Sequence, residues 1–126
     1  MINLKKIQRV NPQDKEAPKR FYVTTANAGE INLEKMSENI SERCTLTETD
    51  VLAVLSALTV EMTKQLMEGK IVRFGTFGSF QLGISSTGVD TENEASRNQV
   101  KGLRVKFRPG RRIMDALAQM KFTLTA

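Results

Sequence analysis

One change of period constrains this chain more than any other feature. From Val51 to Met67 apolar residues recur at helical spacing, and the run stops at Gly69. From Ile71 onward the pattern is that of strands, with Ile71, Val72, Phe74, Phe77, Phe80, Leu82 and Ile84 punctuated by Gly75, Gly78 and Gly83. A helical body therefore hands over to a sheet at the stretch Gly75-Thr76-Phe77-Gly78-Ser79-Phe80. In a regular strand Phe77 and Phe80 point to opposite faces. A bulge near Gly78 brings both rings to one face, and a glycine there admits a neighbouring backbone.

The helical part reads as two segments. Asn32 is placed to cap the first, whose stripe is Leu33, Met36, Ile40 and Cys44. Glu30, Glu34, Glu38 and Glu42 fall four apart and read as a solvated acidic face. Thr47 is the N-cap of the second helix, with Glu48 and Asp50 at the positive end of its dipole. That helix runs to about Glu68. Its apolar residues cover more than one stripe, so it needs burial on two sides, against the first helix and against a sheet or second subunit.

Beyond the glycine stretch, residues 85–102 are polar and read as a loop or an extended arm, the arm region spanning about 83–102. Strict alternation then starts at Leu103. Leu103, Val105 and Phe107 face one way, and Arg104, Lys106 and Arg108 face the other. Successive cations on such a face stand about 6.5 to 7 Å apart, roughly the phosphate spacing along one DNA strand. Pro109-Gly110 ends the strand. Arg111 to Met120 reads as a short helix with Ile113, Leu117 and Met120 inward, and Phe122–Leu124 as a β-like or disordered tail. At the other terminus, residues 1–28 read as a β-hairpin around the loop Asn11–Pro18. Its cations Lys5, Lys6, Arg9, Lys19 and Arg20 either extend a binding surface or keep a sheet edge soluble.

Composition removes whole classes of function. The chain of 126 residues has no histidine and one cysteine, Cys44. It therefore lacks the commonest general base, the Ser-His-Asp triad and any zinc finger. No Gly-Lys-Ser/Thr triplet follows the glycine stretch, so no phosphate-cradling NTPase loop is present. The expectation is a non-enzyme without cofactor, metal or small-molecule substrate. No segment reaches membrane-spanning length and Met1–Lys6 has no apolar core of a leader, so a cytoplasmic location is expected. The net charge of +5 is unevenly spread. Arg97, Lys101, Arg104, Lys106, Arg108, Arg111 and Arg112 fall within sixteen residues without one acid, whereas residues 21–68 are net acidic. Such segregation suits one face to a polyanion.

The order of capped helices, Phe77-Gly78-Ser79-Phe80, arm and Phe107-Arg108-Pro109-Gly110-Arg111 resembles the bacterial histone-like HU and integration host factor family over residues 31–120. The resemblance is to a variant branch with an N-terminal extension, here residues 1–28, followed by a DNA-binding domain over 29–126. It implies an α+β fold with two N-terminal helices, a three-stranded antiparallel sheet with a β-arm, a short C-terminal helix and an intertwined dimer. It also implies nucleoid association and a DNA saddle whose arms enter the minor groove. The partners implied are duplex DNA and a second copy, or a related chain in a heterodimer. By resemblance Arg108 and Arg111 meet phosphates, and Arg73 joins them. The family's arm tip carries Arg-Asn-Pro; here Arg97-Asn98 is followed by Gln99, and Asp90, Glu92 and Glu94 occupy an arm that is usually basic. The expected function is phosphate-dominated, sequence-tolerant DNA binding through Arg73, Arg97, Lys101, Arg104, Lys106, Arg108, Arg111 and Arg112. A protein-interaction module on the same scaffold and an RNA-binding protein are the alternatives.

Overall fold

The computed structural model describes residues 1–124. In chain order the elements are strands β1 (Ile2–Arg9) and β2 (Arg20–Thr25), and helices α1 (Leu33–Ser41) and α2 (Glu48–Met67). Strands β3 (Val72–Phe74), β4 (Gly78–Ser86) and β5 (Val100–Pro109) follow, then helix α3 (Arg111–Ala118) and strand β6 (Phe122–Leu124). The chain divides into two units, Met1–Ile31 with the residues from Ala116 onward, and Asn32–Asp115.

In the first unit β1 pairs antiparallel with β2 and parallel with β6. The segment Phe122–Leu124, which its composition leaves between a β-like and a disordered tail, is thus a strand on the edge of this sheet. Ile2 and Leu4 lie opposite Phe122 and Leu124, so aliphatic and aromatic side chains meet across the parallel pair.

The second unit starts with two capped helices. The Asn32 side chain accepts the Lys35 amide at 2.9 Å, and the Thr47 hydroxyl accepts the Asp50 amide at 3.2 Å. Each satisfies a donor that the first helical turn leaves unpaired. The α1 stripe is shorter than its spacing suggests, because α1 ends at Ser41 and Cys44 lies exposed in the following turn. α1 and α2 pack on each other, and α2 touches β3 and β4. Ser37 on α1 is fully buried. Its hydroxyl donates back to the Leu33 carbonyl at 2.7 Å, so no polar group is left unpaired by that burial.

The sheet β3-β4-β5 is antiparallel throughout. The sequence suggested one strand bulged near Gly78; instead Gly75-Thr76-Phe77 is a tight turn between β3 and β4, closed by the Phe77 amide on the Phe74 carbonyl at 3.1 Å. The turn achieves what the bulge was invoked for. Phe77 and Phe80 both stack on Phe107, with ring centroids 5.5 and 4.8 Å away, and Phe74 meets Phe77 edge-on at 5.9 Å. Each such pair adds roughly 0.5–1.5 kcal/mol beyond area burial. The register shift of the sheet lies farther out, between Ser85 and Ser86.

α3 is also shorter than expected. It ends at Ala118, and Leu117 and Met120, expected inward, are exposed. Its entry is fixed from the sheet: the Gly110 amide donates to Phe77 and the Arg112 amide to Thr76, at 2.8 and 3.1 Å. A Cβ on Gly110 would collide with backbone atoms of Thr76 and Gly78, so only glycine admits this approach.

Candidate nucleic-acid interface

The register decides which cations share a face. Ser79, Gln81 and Gly83 of β4 lie opposite Arg108, Lys106 and Arg104 of β5, and Arg73 of β3 lies opposite Ser79. Directly paired residues of an antiparallel sheet point to the same side. One face therefore reads Arg73, Ser79, Arg108, Gln81, Lys106, Arg104, with four cations and no acid. The opposite face reads Val72, Phe80, Phe107, Leu82, Val105, Ile84, Leu103. Charge and apolar surface are separated by the pleat itself.

Two members of the basic row lie against β4. The Arg104 guanidinium reaches across to β4 and donates to Ser85 Oγ at 3.1 Å and the Ile84 carbonyl at 3.4 Å. The Lys106 stem lies over Gly83, where an added Cβ would come within 2.5 Å of Lys106 Cε. A side chain at position 83 would have to push the lysine aside. Neither Arg104, Lys106, Arg108 nor Arg73 joins an ion pair among the described residues. Their charge is free for an external anion.

Arg73 also links two shallow hollows beside the 75–77 turn. The smaller, about 190 Å³, is lined by Arg73, Ser79, Arg108 and the glycines 75, 78 and 110. The larger, about 370 Å³, is lined by Arg73, Phe74, Thr76, Phe77 and Arg112. Arg73, Arg108 and Arg112 thus surround one turn. Arg111 lines neither hollow, and its Nε stands 3.7 Å from Asp115 Oδ2 in an exposed pair of little energetic weight.

The remaining candidates are set apart from this row. Arg97 belongs to the second of two short 3-10 turns, Glu92–Glu94 and Arg97–Gln99, that join β4 to β5. Lys101 is the extra residue of the register shift: Gly102 faces Ser85 and Val100 faces Ser86, leaving Lys101 without an opposite. It does not continue the alternation of Arg104, Lys106 and Arg108. Gln99, in the place of the family's wedge proline, fastens the arm end. Its side chain accepts the Ser96 amide at 2.7 Å and donates to the Thr87 carbonyl at 2.5 Å. The sequence names Ser79 and Gly83 only as part of the glycine-rich stretch and leaves Gln81 unmarked; counting outward from the Gly75–Phe77 turn places all three opposite the cations.

The family model of HU domains fused to a winged helix-turn-helix, an immunoglobulin-like or a glycine-rich motif matches residues 1–124. The chain belongs to this HU-HIG family. The HU-HIG chain is similar in fold to a crystal structure from Bacteroides vulgatus ATCC 8482, presented there as a provisional bacterial DNA-binding protein. The TM-score is 0.62 at 14% identity, over 97% of this chain and 47% of that one. The chain thus spans less than half the length of that relative. No curated protein matches it. Among the described residues no helix is long and apolar enough to cross a membrane, and no cluster of three potential metal ligands occurs.

Proposed function

We propose that this HU-HIG chain is an architectural DNA-binding protein that holds duplex DNA by its phosphates, with little regard to sequence, and works as a dimer. The observation that carries the reading is the row Arg73, Arg108, Lys106 and Arg104 on one sheet face, paired with no acid among the described residues. Cations spaced along a strand match the phosphate backbone, and contacts to phosphates position a protein on the duplex without reading its sequence directly. Arg112 adds to the row beside the 75–77 turn, and Arg97, Lys101 and Arg111 add charge at the arm and at the start of α3. The arm end holds no proline to act as a wedge, and Gln99 is engaged within the arm. The reading is therefore backbone binding without proline intercalation.

The dimer reading rests on apolar side chains left exposed on the opposite face of the sheet and on α2. Val51, at 4% exposure, is the one buried hydrophobic residue among those described. Leu103 and Val105 are 68% and 59% exposed, and Val54, Val60 and Met67 of α2 are exposed too. A lone chain leaves this apolar surface wet, at roughly 25 cal/mol per Å². A second copy of the same face covers it, as closed two-fold assemblies do.

Titration of a random-sequence duplex across a salt series tests the DNA reading. Binding through phosphates gives a log–log slope of roughly −0.9 per phosphate neutralised. Absence of binding at about 50 mM salt overturns it, since phosphate binding is strongest at low salt.

A further inference from the structure

We propose that the first unit carries its own phosphate-binding cleft, built by Arg9 and Arg20, for the backbone phosphates of a nucleic acid. Arg9 and Arg20 are directly opposite each other in the last pair of the β1–β2 ladder. Like charges in that position destabilise a sheet. Neither arginine joins an ion pair among the described residues, although Asp14 and Glu16 lie in the loop between them. The Asp14 carboxylate instead accepts the Glu16 amide at 3.1 Å. Two arginines thus stand opposite each other in the ladder, and neither is ion-paired to a carboxylate among the described residues.

The space in front of them is concave. A cleft of about 740 Å³ is lined by Arg9, Arg20 and Tyr22 together with Asn11, Pro12 and Pro18 of the loop. That volume leaves room for more than a single ion. Tyr22 lies opposite Ile7, one pair along the same face, so its hydroxyl is on the arginine side. Lys5, opposite Thr24, is the next cation on that face. Guanidiniums bind phosphate oxygens through paired, charge-assisted N–H bonds, and the repulsion between the two arginines falls when an anion bridges them. The aromatic and aliphatic residues Phe21 and Val23 fall on the other face. The arginine face thus carries three of the four cations in the β1–β2 ladder, Lys5, Arg9 and Arg20, while Lys6 lies on the other face.

The inference rests on the nucleic-acid reading for the source of the phosphate, and the experiment separates the two. The full chain and its Arg9→Ala/Arg20→Ala variant are titrated with a fluorescent duplex over a salt series. Inorganic phosphate is titrated separately, with the Tyr22 ring resonances as readout. The variant is expected to flatten the log–log slope by about 0.9 for each phosphate no longer neutralised, up to about 1.8. Arg9→Lys/Arg20→Lys should restore most of it, and circular dichroism should show the fold retained. An unchanged slope together with Tyr22 resonances that respond to neither ligand overturns the cleft. A Tyr22 response to inorganic phosphate with an unchanged DNA slope overturns the nucleic-acid source and leaves a site for free phosphate. Complete absence of duplex binding by the wild type, with the phosphate response intact, sinks both the DNA reading of the second unit and the nucleic-acid source for the cleft, and leaves a site for free phosphate.

Discussion

The backbone amide of Gly110 donates to the carbonyl of Phe77 over 2.8 Å, and this bond sets α3 on the turn between β3 and β4. Gly110→Ala places a methyl against the backbone of Thr76 and the Gly78 nitrogen. No side chain there can swing away, so the turn and the helix start must separate. The expected cost is about 1–3 kcal/mol, as for other overpacked sites. Urea unfolding would show it as a lower midpoint. DNA affinity should fall with it, because Arg111 and Arg112 leave the helix entry. A wild-type midpoint would mean that the turn and the helix start are loosely apposed.

Charge reversal of Arg104, Lys106 and Arg108 to glutamate should weaken binding to every duplex alike. The apolar face is untouched by these changes, so the fold should survive. The salt slope should fall by about 0.9 for each phosphate that is no longer neutralised. Competition between unrelated duplexes is the check. A loss confined to one sequence would point to base readout and contradict sequence-tolerant binding.

Much of this fold was legible in the residues because its signals are local. Asn32 and Thr47 announce helix starts through their own side chains. The alternation from Leu103 to Arg108 assigns faces without knowledge of any partner strand. What escaped was set by pairing. Phe77 looks like a strand residue by type, and only its hydrogen bond to Phe74 makes it a turn. Phe122–Leu124 is three residues long and acquires its strand character from β1, about 120 positions earlier in the chain. The same limit applies to the candidate interface. Arg104, Lys106 and Arg108 share a face by spacing alone, whereas the addition of Arg73 needs the register of two ladders. Lys101 was grouped with that row by charge, and the register shift beside it could not be read from residue types.

Gln99 offers a test of the arm. Gln99→Ala removes the side-chain bonds to Ser96 and Thr87 but keeps two backbone bonds, the Gln99 amide on the Ser96 carbonyl at 3.2 Å and the Thr87 amide on the Gln99 carbonyl at 3.0 Å. Each of these exposed bonds contributes about 0.5–1.5 kcal/mol at most. Amide exchange at Ser96 should therefore accelerate several-fold. Exchange in the β4–β5 ladder near Phe80 and Phe107 should not change. If exchange accelerates across the whole sheet, the arm end is not an independent unit of local opening.

Val105→Asp tests the assembly. Val105 lies opposite Leu82 on the apolar face and is 59% exposed in the single chain. In an isolated monomer an exposed aspartate costs little, within about 0.5 kcal/mol. In a dimer closed over this face the two-fold axis repeats the change, so two unpaired carboxylates are desolvated at once. Light scattering at micromolar concentration should then give the monomer mass for the variant and twice that mass for the wild type. DNA affinity should fall as well, because a dimer presents two basic rows to one duplex and links their binding. A wild-type chain that already runs as a monomer would remove the dimer from the proposed function. It would leave the basic row, which needs no partner to form.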